Sequence, residues 1–261
     1  MITNDSEVSL YIHSDDDFET IKNKLYSDSV IINRRSFEWL AKKLDYPKYI
    51  KSGHYVIKDG MNNNQLLNML RSGNQIPIDF TFNNIRTIEQ FAKEADDQLE
   101  LDSLSILKAL NEDSLLKEMG FKKESFASLF IPNTYELYWN INPKDFIEKM
   151  TNEYKKFWND TRLQKAKEIN LTPIEVSILA SIVDKETTKT SEMSRIVGVY
   201  LNRINKRWLL QADPTLVFAL GDFEIKRVLD FHKEIESPYN TYKYIGLPPG
   251  PICIPSIAAI D

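Results

Sequence analysis

The sequence predicts an α+β fold in which a small βααβ module precedes an α-rich region with short strands and proline-rich loops. Three observations support this class. Strand-like and helix-like patterns alternate up to residue 82, helical periodicity dominates after residue 83, and six of the 11 prolines follow Asp213. Proline fixes the backbone angle φ and lacks an N–H donor, so we expect a stiff, shaped tail. We therefore divide the chain into residues 1–82 and residues 83–261.

The first 82 residues contain short β-rich runs separated by segments whose apolar residues recur at helical spacing. Phe18, Ile21 and Leu25 show this spacing after an acidic start. The predicted order begins strand, helix, helix, strand, and a further helix and strand complete the module. The predicted elements are Val8–Ile12, Asp16–Leu25, Ser36–Leu44, His54–Ile57, Asn64–Arg71 and Ile76–Phe82.

The next region begins with three short amphipathic segments that we interpret as a helical connector. They are Thr87–Ala95, Ser103–Leu110 and Ser114–Met119. A longer helix is predicted after Asn142, because Asn142 can cap it, Pro143 suits its first position and Asp145 adds an acid to its first turn. Its predicted buried stripe is Phe146, Ile147, Met150, Tyr154, Phe157 and Trp158.

The composition is that of a packed soluble protein. Hydrophobic residues make up 42% and charged residues 27% of the 261 residues, which disfavours a disordered, fibrous or coiled-coil chain. Lys and Arg total 33 against 38 for Asp and Glu, and the net charge of −5 disfavours broad binding to nucleic acid or anionic lipid. The single Cys253 excludes an internal disulfide and a multi-cysteine metal site.

Several other classes of site and segment are also disfavoured. No window approaches the ~18 consecutive apolar residues of a membrane-spanning helix, and the start of the sequence lacks the basic and apolar regions of a signal peptide. His13, His54 and His232 are far apart and show no metal-ligand spacing. Neither a nucleophile elbow nor a P-loop is present. We therefore expect no metal and no cofactor.

A dense helix-start signal lies at residues 171–176. Thr172 can cap the helix, Pro173 suits its first turn, and Glu175 completes a capping box. Leu171 can also pack onto Val176 as a hydrophobic staple. The start of this helix is therefore well defined by local sequence.

The same helix carries a carboxyl group on its apolar stripe. At about 100° per residue, Glu186 shares the stripe of Leu179, Ile182 and Val183, whereas Asp184 lies about 200° away. The spacing predicts that Glu186 points inward and that Asp184 is exposed. A carboxyl at the edge of an apolar face loses hydration and can hold a proton near neutral pH, as a general acid must. The alternative is a structural ion pair between Glu186 and a Lys or Arg.

From Leu179 onward, four blocks in order resemble the signatures of the MltG/YceG-like endolytic murein transglycosylases. A weaker match, Phe-Ile-Pro-Asn-Thr-Tyr at residues 130–135, is similar to the family's Phe-Pro-Asp-Thr-Tyr segment, and residues 8–82 resemble its LysM-like module. The likeness spans most of the chain. The four blocks are Leu-Ala-Ser-Ile-Val-Asp-Lys-Glu-Thr (179–187), Leu-Gln-Ala-Asp-Pro-Thr (210–215), Ser-Pro-Tyr-Asn-Thr-Tyr (237–242) and Gly-Leu-Pro-Pro-Gly-Pro-Ile (246–252).

The resemblance implies an enzyme that cleaves the β-1,4 bond between N-acetylmuramic acid and N-acetylglucosamine within peptidoglycan strands. Cleavage would occur without water and leave a 1,6-anhydromuramic end. The family's catalytic glutamate falls on Glu186, which would act first as general acid and then as base. Two departures are Asp184, where the family often has Glu, and Asn133, where it has Asp.

The resemblance also implies a setting for the enzyme. The LysM-like module would contact glycan, and peptidoglycan strands, peptidoglycan synthases and division proteins would be its partners. We expect the natural protein to work at the periplasmic face of the cytoplasmic membrane, held by an N-terminal anchor that this sequence lacks. Family members continue past the Gly-Leu-Pro-Pro segment, so the chain that stops at Asp261 is expected to be C-terminally truncated.

Four residues of the matched blocks are predicted to bind substrate. Gln211 and Asn240 offer hydrogen bonds to a sugar and its N-acetyl group, and Tyr239 and Tyr242 offer amphipathic faces suited to pyranose rings. An ordinary turn is the alternative for residues 237–242, because Ser, Pro and Asn favour turns. Asp213, just before Pro214, is predicted to cap the next helix.

Two further functions stay open at this point. One is a catalytically idle glycan-binding or cell-division scaffold protein that keeps the fold for assembly. The other is a hydrolytic muramidase, which needs a second carboxylate near Glu186, and Asp213 is the nearest candidate in the matched blocks.

Overall fold

The computed structural model describes residues 7–261. Residues 1–6, where part of the signal-peptide prediction falls, lie outside the described residues. Across residues 7–261 no helix has both the length and the apolar character needed to cross a membrane. The architecture is the predicted α+β class, in which helices are combined with two small sheets of two strands each.

The chain folds into two compact units. The first contains the chain up to Phe80 together with Asp96–Leu101 and Thr134–Asn142. The second contains Thr81–Ala95, Asp102–Asn133 and Pro143–Asp261. The division predicted after residue 82 is a single cut, whereas the chain returns twice to the first unit.

The first unit is built on an antiparallel strand pair. β1 (Val8–Ile12) pairs with β2 (Gly53–Ile57) in a register that sets Leu10 opposite Tyr55. Leu10 and Tyr55 are both buried, so this face of the pair contributes to the core. Two α-helices and a 3₁₀ segment (Tyr46–Lys48) connect the strands, and the two α-helices between the strands confirm the predicted βααβ order. The helices of this unit are α1 (Phe18–Ser27), α2 (Arg34–Lys43) and α3 (Asn63–Ser72).

Local sequence sets the helix starts of the first unit, and one apolar core holds them together. Asp17, Asn33 and Asn62 cap α1, α2 and α3 by accepting hydrogen bonds from first-turn N–H groups. The apolar faces of the three helices pack with β1 and β2 around Leu10, Ile12, Ile21, Leu25, Phe37, Tyr55, Leu66 and Leu70.

A second two-stranded sheet joins β3 (Ile78–Thr81) and β4 (Thr134–Leu137). β3 lies inside the predicted strand, whereas β4 is additional to the predicted elements. Its burial alternates over only four residues, which are too few to give a clear strand signal in the sequence.

The remaining elements are helical. The predicted connector helices and the longer helix after Asn142 are confirmed, whereas α8, α10 and α12 are additional. The elements are α4 (Ile88–Gln98), α5 (Ser103–Glu112), α6 (Ser114–Glu118), a 3₁₀ segment at Lys123–Leu129, α7 (Pro143–Phe157), α8 (Asp160–Glu168), α9 (Pro173–Glu186), α10 (Thr190–Asn205), α11 (Asp213–Leu220), a 3₁₀ segment at Asp230–Glu234 and α12 (Ile257–Ile260).

The helix α9 is the centre of the second unit. Its capping box is confirmed, because Thr172 Oγ1 accepts from the Glu175 N–H and the Glu175 carboxylate accepts from the Thr172 N–H. Its residues 177–183 are all buried. Leu179, Ile182 and Val183 join a core that includes Tyr200 of α10 and Ile252 of the tail. The predicted apolar stripe therefore holds, and small side chains between its members allow other segments to approach closely.

The proline-rich tail packs directly onto α9. The Ile252 N–H donates to Ser181 Oγ at 3.0 Å, so a side chain of the helix satisfies a backbone donor of the tail. Gly250 lies against the backbone of the 3₁₀ segment, where a Cβ atom would come within 1.7 Å of the Glu124 carbonyl oxygen. Glycine is therefore required at position 250, and the tail is a fixed part of the second unit.

Candidate active site

Glu186 is the last residue of α9, and its side chain is exposed. The prediction that Glu186 points into the apolar core is therefore wrong. The stripe continues geometrically to Glu186, but the helix ends there and the chain leaves it in an extended conformation at Thr187. The last turn extends past the packed part of the stripe, so helical spacing alone did not decide the burial of this residue.

Asp184 also differs from the prediction. It was expected to be exposed, yet its side chain is only 17% exposed and lies 3.7 Å from the ammonium group of Lys185. Its carboxylate accepts a hydrogen bond from Ser256 Oγ at 2.6 Å. The tail therefore covers the side of α9 that carries Asp184, and this carboxylate has a structural role.

The carboxylate of Glu186 is held by a tyrosine of the neighbouring helix. Tyr200 of α10 is 6% exposed, and its hydroxyl donates to Glu186 Oε1 at 2.6 Å. Burial, this hydrogen bond and the charge of Glu186 all raise the pKa of Tyr200 well above its usual value. Tyr200 therefore stays protonated and remains a donor, which fixes one oxygen of the Glu186 carboxyl group.

The second oxygen of Glu186 is available for chemistry. Across residues 7–261, Tyr200 is the one side chain hydrogen-bonded to Glu186, and Glu186 has no ion pair with a Lys or Arg. The structural ion pair considered from the sequence is thus not formed. A carboxyl group with one oxygen held and the other exposed can exchange a proton with a ligand without losing its position.

A second tyrosine–carboxylate pair lies beside the first. The Tyr242 hydroxyl donates a hydrogen bond to Asp213 Oδ1 at 2.5 Å. Burial, that hydrogen bond and the charges of Asp213 and Glu186 raise the pKa of Tyr242 to about 12. Glu186 and Asp213 line the same cavity, so the two pairs are close together.

Asp213 does not cap α11 as predicted. The helix begins at Asp213 itself, Ala212 occupies the capping position, and no side chain makes the capping hydrogen bond. The Asp213 side chain is exposed and accepts from Tyr242. Proline at the second position already pre-sets the helical φ, so the helix starts without a side-chain cap.

Glu186 and Asp213 open into one cavity of about 250 Å³ in the second unit. Pro214, Val217 and Phe223 supply part of its apolar wall. Three cationic residues also line it, namely Arg86, Lys185 and Lys226. The cavity therefore combines two carboxyl groups, apolar surface suited to sugar faces and positive charge.

A larger cavity of about 670 Å³ in the same unit does not contain Glu186. It is lined mainly by apolar residues of α8, α9, α10 and α12. Its volume alone would make it a candidate site, but it lacks paired carboxyl groups with a free oxygen. The chemistry therefore favours the smaller cavity.

Gln211 has an exposed side chain on a strained backbone. Its φ of 50° lies in the left-handed region, which costs free energy for a residue other than glycine. Its N–H donates to the Thr241 carbonyl at 3.0 Å, which holds the loop in this conformation. The structure thus leaves the Gln211 side chain free to contact a ligand.

Tyr239 lies against the core of the second unit. Its ring centroid is 4.7 Å from that of Phe218, and Tyr239 packs with the residues of α9 and α10. Burial raises the pKa of Tyr239 to about 12, with a smaller effect from the charge of Glu124. One face of this ring is therefore occupied by protein, which leaves little of it for stacking on a sugar.

Asn240 is fully buried, contrary to what its predicted contact with an N-acetyl group requires. Its amide nitrogen donates to the carbonyl groups of Lys233 and Ile235, at 2.8 and 2.9 Å. Its amide oxygen accepts from the Tyr242 N–H at 3.0 Å. Both amide N–H groups are used within the protein, so Asn240 holds the turn that presents Tyr242. The turn interpretation of residues 237–242 describes this residue better than direct binding.

The two loops of the site are fastened by residues that were not predicted. Thr241 Oγ1 accepts from the Ala212 N–H at 3.0 Å and lies 2.9 Å from Thr215 Oγ1. Both threonine side chains are buried. This connection ties the loop before α11 to the loop that carries Tyr242, and it fixes the Asp213–Tyr242 pair.

Tyr200 is the other residue missed from the sequence. A signal was present, because Val197, Tyr200, Leu201 and Ile204 follow the i, i+3, i+4, i+7 pattern of a helix face. That pattern would have predicted α10 and its packing against α9. It would not have revealed that the Tyr200 hydroxyl meets Glu186, since this depends on how the two helices cross.

No metal centre is evident in the part of the chain that the structure describes. Residues 7–261 contain no group of three or more His, Cys, Asp and Glu side chains arranged to hold a metal ion. Cys253 is buried, and burial raises the pKa of its thiol to about 12. The reactive groups of the site are therefore carboxyl, hydroxyl and cationic side chains.

Comparisons with known proteins place the chain in a family. The YceG-like family matches residues 10–261. An endolytic murein transglycosylase of Bacillus subtilis is 25% identical over 264 residues, covering 94% of this chain and 72% of that protein. Its counterpart in Streptococcus pneumoniae is 28% identical over 256 residues, covering 86% of this chain and 46% of that protein. The chain thus spans about half the length of the pneumococcal relative.

A solved structure has a similar fold. The crystal structure of a yceG-like protein from Listeria monocytogenes matches with a TM-score of 0.59 and 24% sequence identity. The match covers 97% of this chain and 88% of the Listeria chain. At this level of identity the likeness supports the fold, and the chemistry depends on the residues described above.

Proposed function

The chain belongs to the YceG-like family, and from this premise we propose that it is an endolytic murein transglycosylase with Glu186 as its catalytic residue. The names of the Bacillus and Streptococcus relatives support the activity. The observation that carries the assignment to Glu186 is geometric. Glu186 ends α9 in an exposed position beside a cavity, with one carboxyl oxygen held by Tyr200.

The reaction needs a single carboxyl group that acts twice. In the first step Glu186 donates a proton to the glycosidic O4 oxygen as the bond from C1 of muramic acid to O4 breaks. In the second step the C6 hydroxyl oxygen of the same muramic acid bonds to C1, and its proton passes to the Glu186 carboxylate. The acid is regenerated, no water is consumed and a 1,6-anhydro ring is formed.

Ring closure is favoured over hydrolysis because the nucleophile belongs to the substrate. Holding the C6 hydroxyl beside C1 makes the attack intramolecular, which is worth up to ~7–11 kcal/mol in favourable cases. A bound strand would also cover Glu186 and exclude water from the reacting atoms. The exposed position of Glu186 in the free protein thus suits a substrate as bulky as a polysaccharide.

The remaining residues of the site have supporting roles in this proposal. Gln211 and Tyr242 contact the glycan in this proposal, because the Gln211 side chain is exposed and the Tyr242 side chain is half-buried. The ammonium group of Lys233 lies 5.2 Å from the Tyr242 ring centroid, so one face of this ring is already occupied. Tyr239 and Asn240 shape the loop from within. The reaction requires no cofactor.

The first unit is proposed to be a LysM-like module that contacts the glycan outside the catalytic cavity. Its βααβ order supports the resemblance. We further propose that the enzyme works at the periplasmic face of the cytoplasmic membrane beside peptidoglycan synthases and division proteins. Cell fractionation and co-purification would test this setting, and recovery only in a compartment without peptidoglycan would contradict it.

Product analysis tests the reaction directly. Uncrosslinked glycan strands are incubated with the protein, and the fragments are analysed by mass spectrometry. An endolytic enzyme cuts within strands, so we expect shorter fragments that carry new anhydromuramic ends. Exclusive formation of reducing muramic ends would contradict the proposal.

A hydrolytic muramidase is the second candidate, because Asp213 shares the cavity with Glu186. Asp213 already accepts a hydrogen bond from Tyr242, which reduces its capacity to activate water. The same product analysis separates the two reactions. An idle scaffold protein is separated by turnover: binding of strands with no cleavage by the wild type would favour it.

A further inference from the structure

We propose that Arg86 and Lys226 form a carboxylate-binding subsite beside Glu186, which holds a free carboxylate of the glycan strand during cleavage. This inference rests on the proposed function and names the chemistry by which the same cavity recognises its substrate. The shared ligand chemistry is a carboxylate, supplied either by the lactyl group of a muramic acid without its peptide or by the terminus of a stem peptide.

Two of the three cationic residues that line the cavity form no ion pair within residues 7–261. Of its three cationic residues, Lys185 is already used, because its ammonium group donates to Asn84 Oδ1 at 3.0 Å and lies 3.7 Å from Asp184. The Lys185 side chain is only 11% exposed. This residue therefore belongs to the support of α9 and contributes little to ligand binding.

Arg86 and Lys226, unlike Lys185, have no hydrogen-bond or ion-pair partner for their side chains within residues 7–261. The carboxyl groups that share the cavity, Glu186 and Asp213, are engaged by tyrosine hydroxyls and form no ion pair with these cations. Two cations are thus left without an anionic partner at the wall of the cavity.

Arg86 is also placed for directional binding. Its guanidinium carbon lies 5.2 Å from the ring centroid of Phe223, which lines the same cavity. A guanidinium held at an aromatic ring keeps its N–H donors available, and their planar arrangement matches the two oxygens of a carboxylate. Lys226 is exposed and can adjust as a point charge. Neutral sugar hydroxyls do not require this combination, whereas a carboxylate does.

The test compares strands that differ in their carboxylates. Wild-type protein, Arg86→Gln and Lys226→Gln are assayed on amidase-denuded strands and on peptide-bearing strands, each before and after chemical amidation of its carboxyl groups. Arg227→Gln is the matched control, because this substitution removes the same charge. Arg227 is an exposed neighbour of Lys226 and does not line the cavity.

We expect KM to rise about ten-fold in Arg86→Gln and Lys226→Gln on the unmodified strand that supplies the carboxylate, with little change in kcat. Arg227→Gln should keep the wild-type KM. Amidated strands should show the raised KM with the wild type and no further loss with the variants. The strand type that responds identifies the source as the lactyl group or the peptide terminus.

A binding measurement separates this inference from the proposed function. The affinity of denuded and peptide-bearing strands is measured in a Glu186→Gln background, with and without Arg86→Gln. A drop caused by Arg86→Gln supports the subsite even if turnover is never seen. Equal affinities and equal KM values for all variants would overturn the subsite while leaving cleavage by the wild type as evidence for the reaction.

Discussion

Glu186 and Tyr200 form a hydrogen bond of 2.6 Å between the end of one helix and the middle of the next. Glu186 is exposed and Tyr200 is buried, so a buried residue of α10 holds the carboxyl group of an exposed residue of α9. A general acid for a polysaccharide must be reached by a chain of sugars, and an inward-facing carboxyl group could not be. The buried hydrogen-bond donor fixes the position of the carboxyl group, as burial of that group itself would otherwise do.

The first prediction concerns the proton donor. Glu186→Gln should lower kcat by ~10²–10⁴-fold, because general acid–base catalysis contributes about this much and the amide can neither donate nor accept the transferred proton. Thermal stability should stay close to that of the wild type, since Glu186 is exposed. Activity is measured by release of anhydromuramic ends. Glu192→Gln serves as control, and equal activity of Glu186→Gln and Glu192→Gln would refute the assignment.

The second prediction concerns the residue that positions it. Tyr200→Phe keeps the packed ring and removes the hydroxyl, so kcat should fall about ten-fold with KM nearly unchanged. In a Glu186→Gln background the same change should have no further effect on kcat, because the two residues act as one unit. Tyr154→Phe, a buried tyrosine of the same unit, controls for loss of a hydroxyl. Additive losses in the double variant would show that Tyr200 acts independently of Glu186.

At the scale of elements, the tail and the 3₁₀ segment Lys123–Leu129 are in close contact. The tail approaches the segment so closely that a Cβ at position 250 would lie 1.7 Å from the Glu124 carbonyl oxygen and 3.0 Å from the Tyr239 hydroxyl. Since the first of these atoms is backbone, it cannot move aside by changing rotamer. The loop with Tyr239 is therefore coupled to this contact.

The third prediction follows from that contact. Gly250→Ala should destabilise the protein by about 1–3 kcal/mol, because the added methyl group forces the tail or the segment to shift. Gly198→Ala is the matched control, since Gly198 lies within α10 and an added Cβ there meets nothing within 4 Å. The control should be neutral or slightly stabilising. Chemical denaturation measures both, and equal midpoints for the two variants would contradict the close approach.

The helix starts are a second feature at this scale. The capping box of α9 joins Thr172 and Glu175 by two reciprocal hydrogen bonds, and Pro173 occupies the first turn. Thr172→Ala should cost about 1 kcal/mol of stability, the usual effect of losing an N-cap. Thr190→Ala gives a comparison at the start of α10, where no side-chain cap is formed. A loss at Thr190 as large as that at Thr172 would show that the cap is not responsible.

At the scale of the whole molecule, each of the two units buries tyrosine hydroxyls. Burial raises the pKa of Tyr55 to about 12 in the first unit, and it raises the pKa of Tyr239 to about 12 in the second. In unfolded chains a tyrosine has a pKa near 10. Between these values the unfolded protein has lost protons that the folded protein keeps, so rising pH favours unfolding.

The fifth prediction is therefore a loss of stability at alkaline pH. The contribution of these tyrosines is fully present below pH ~10 and is lost as the pH rises toward about 12. Denaturation midpoints measured from pH 8 to 12 should fall above pH 10. Tyr55→Phe and Tyr239→Phe should each weaken this pH dependence. A midpoint that stays constant up to pH 12 would contradict the burial of the hydroxyls.

Much of the local structure was predictable. Val8–Ile12 was predicted with its observed ends, Pro143 marked the start of α7, and Thr172 and Pro173 marked the start of α9. These signals are local, because they depend on residues within one or two turns of each other. The strand β4 and the helix α8 were missed, since four residues are too few and α8 is too polar for a clear periodicity.

The candidate site was only partly predictable. The matched blocks contain Glu186, Gln211 and Tyr242, which all lie in the second unit. The burial of Asn240 and the exposure of Glu186 were not foreseen. Each depends on other segments of the chain. The carbonyl groups of Lys233 and Ile235 bind the buried Asn240 amide, and Glu186 lies at the end of α9, past the part of the helix that other segments cover.

The sequence by itself determined the α+β class and the start of the helix that carries Glu186, and its four matched blocks led to the proposal of Glu186 as the catalytic acid. These follow from periodicity, capping and block order, which are properties of neighbouring residues along the chain. Only the tertiary structure decided that Glu186 faces solvent, that Tyr200 holds it, that Asp213 pairs with Tyr242 and that Arg86 and Lys226 stay without anionic partners. Exposure and pairing depend on groups that are far apart in sequence, because desolvation and hydrogen bonding are set by distance in space and not by distance along the chain.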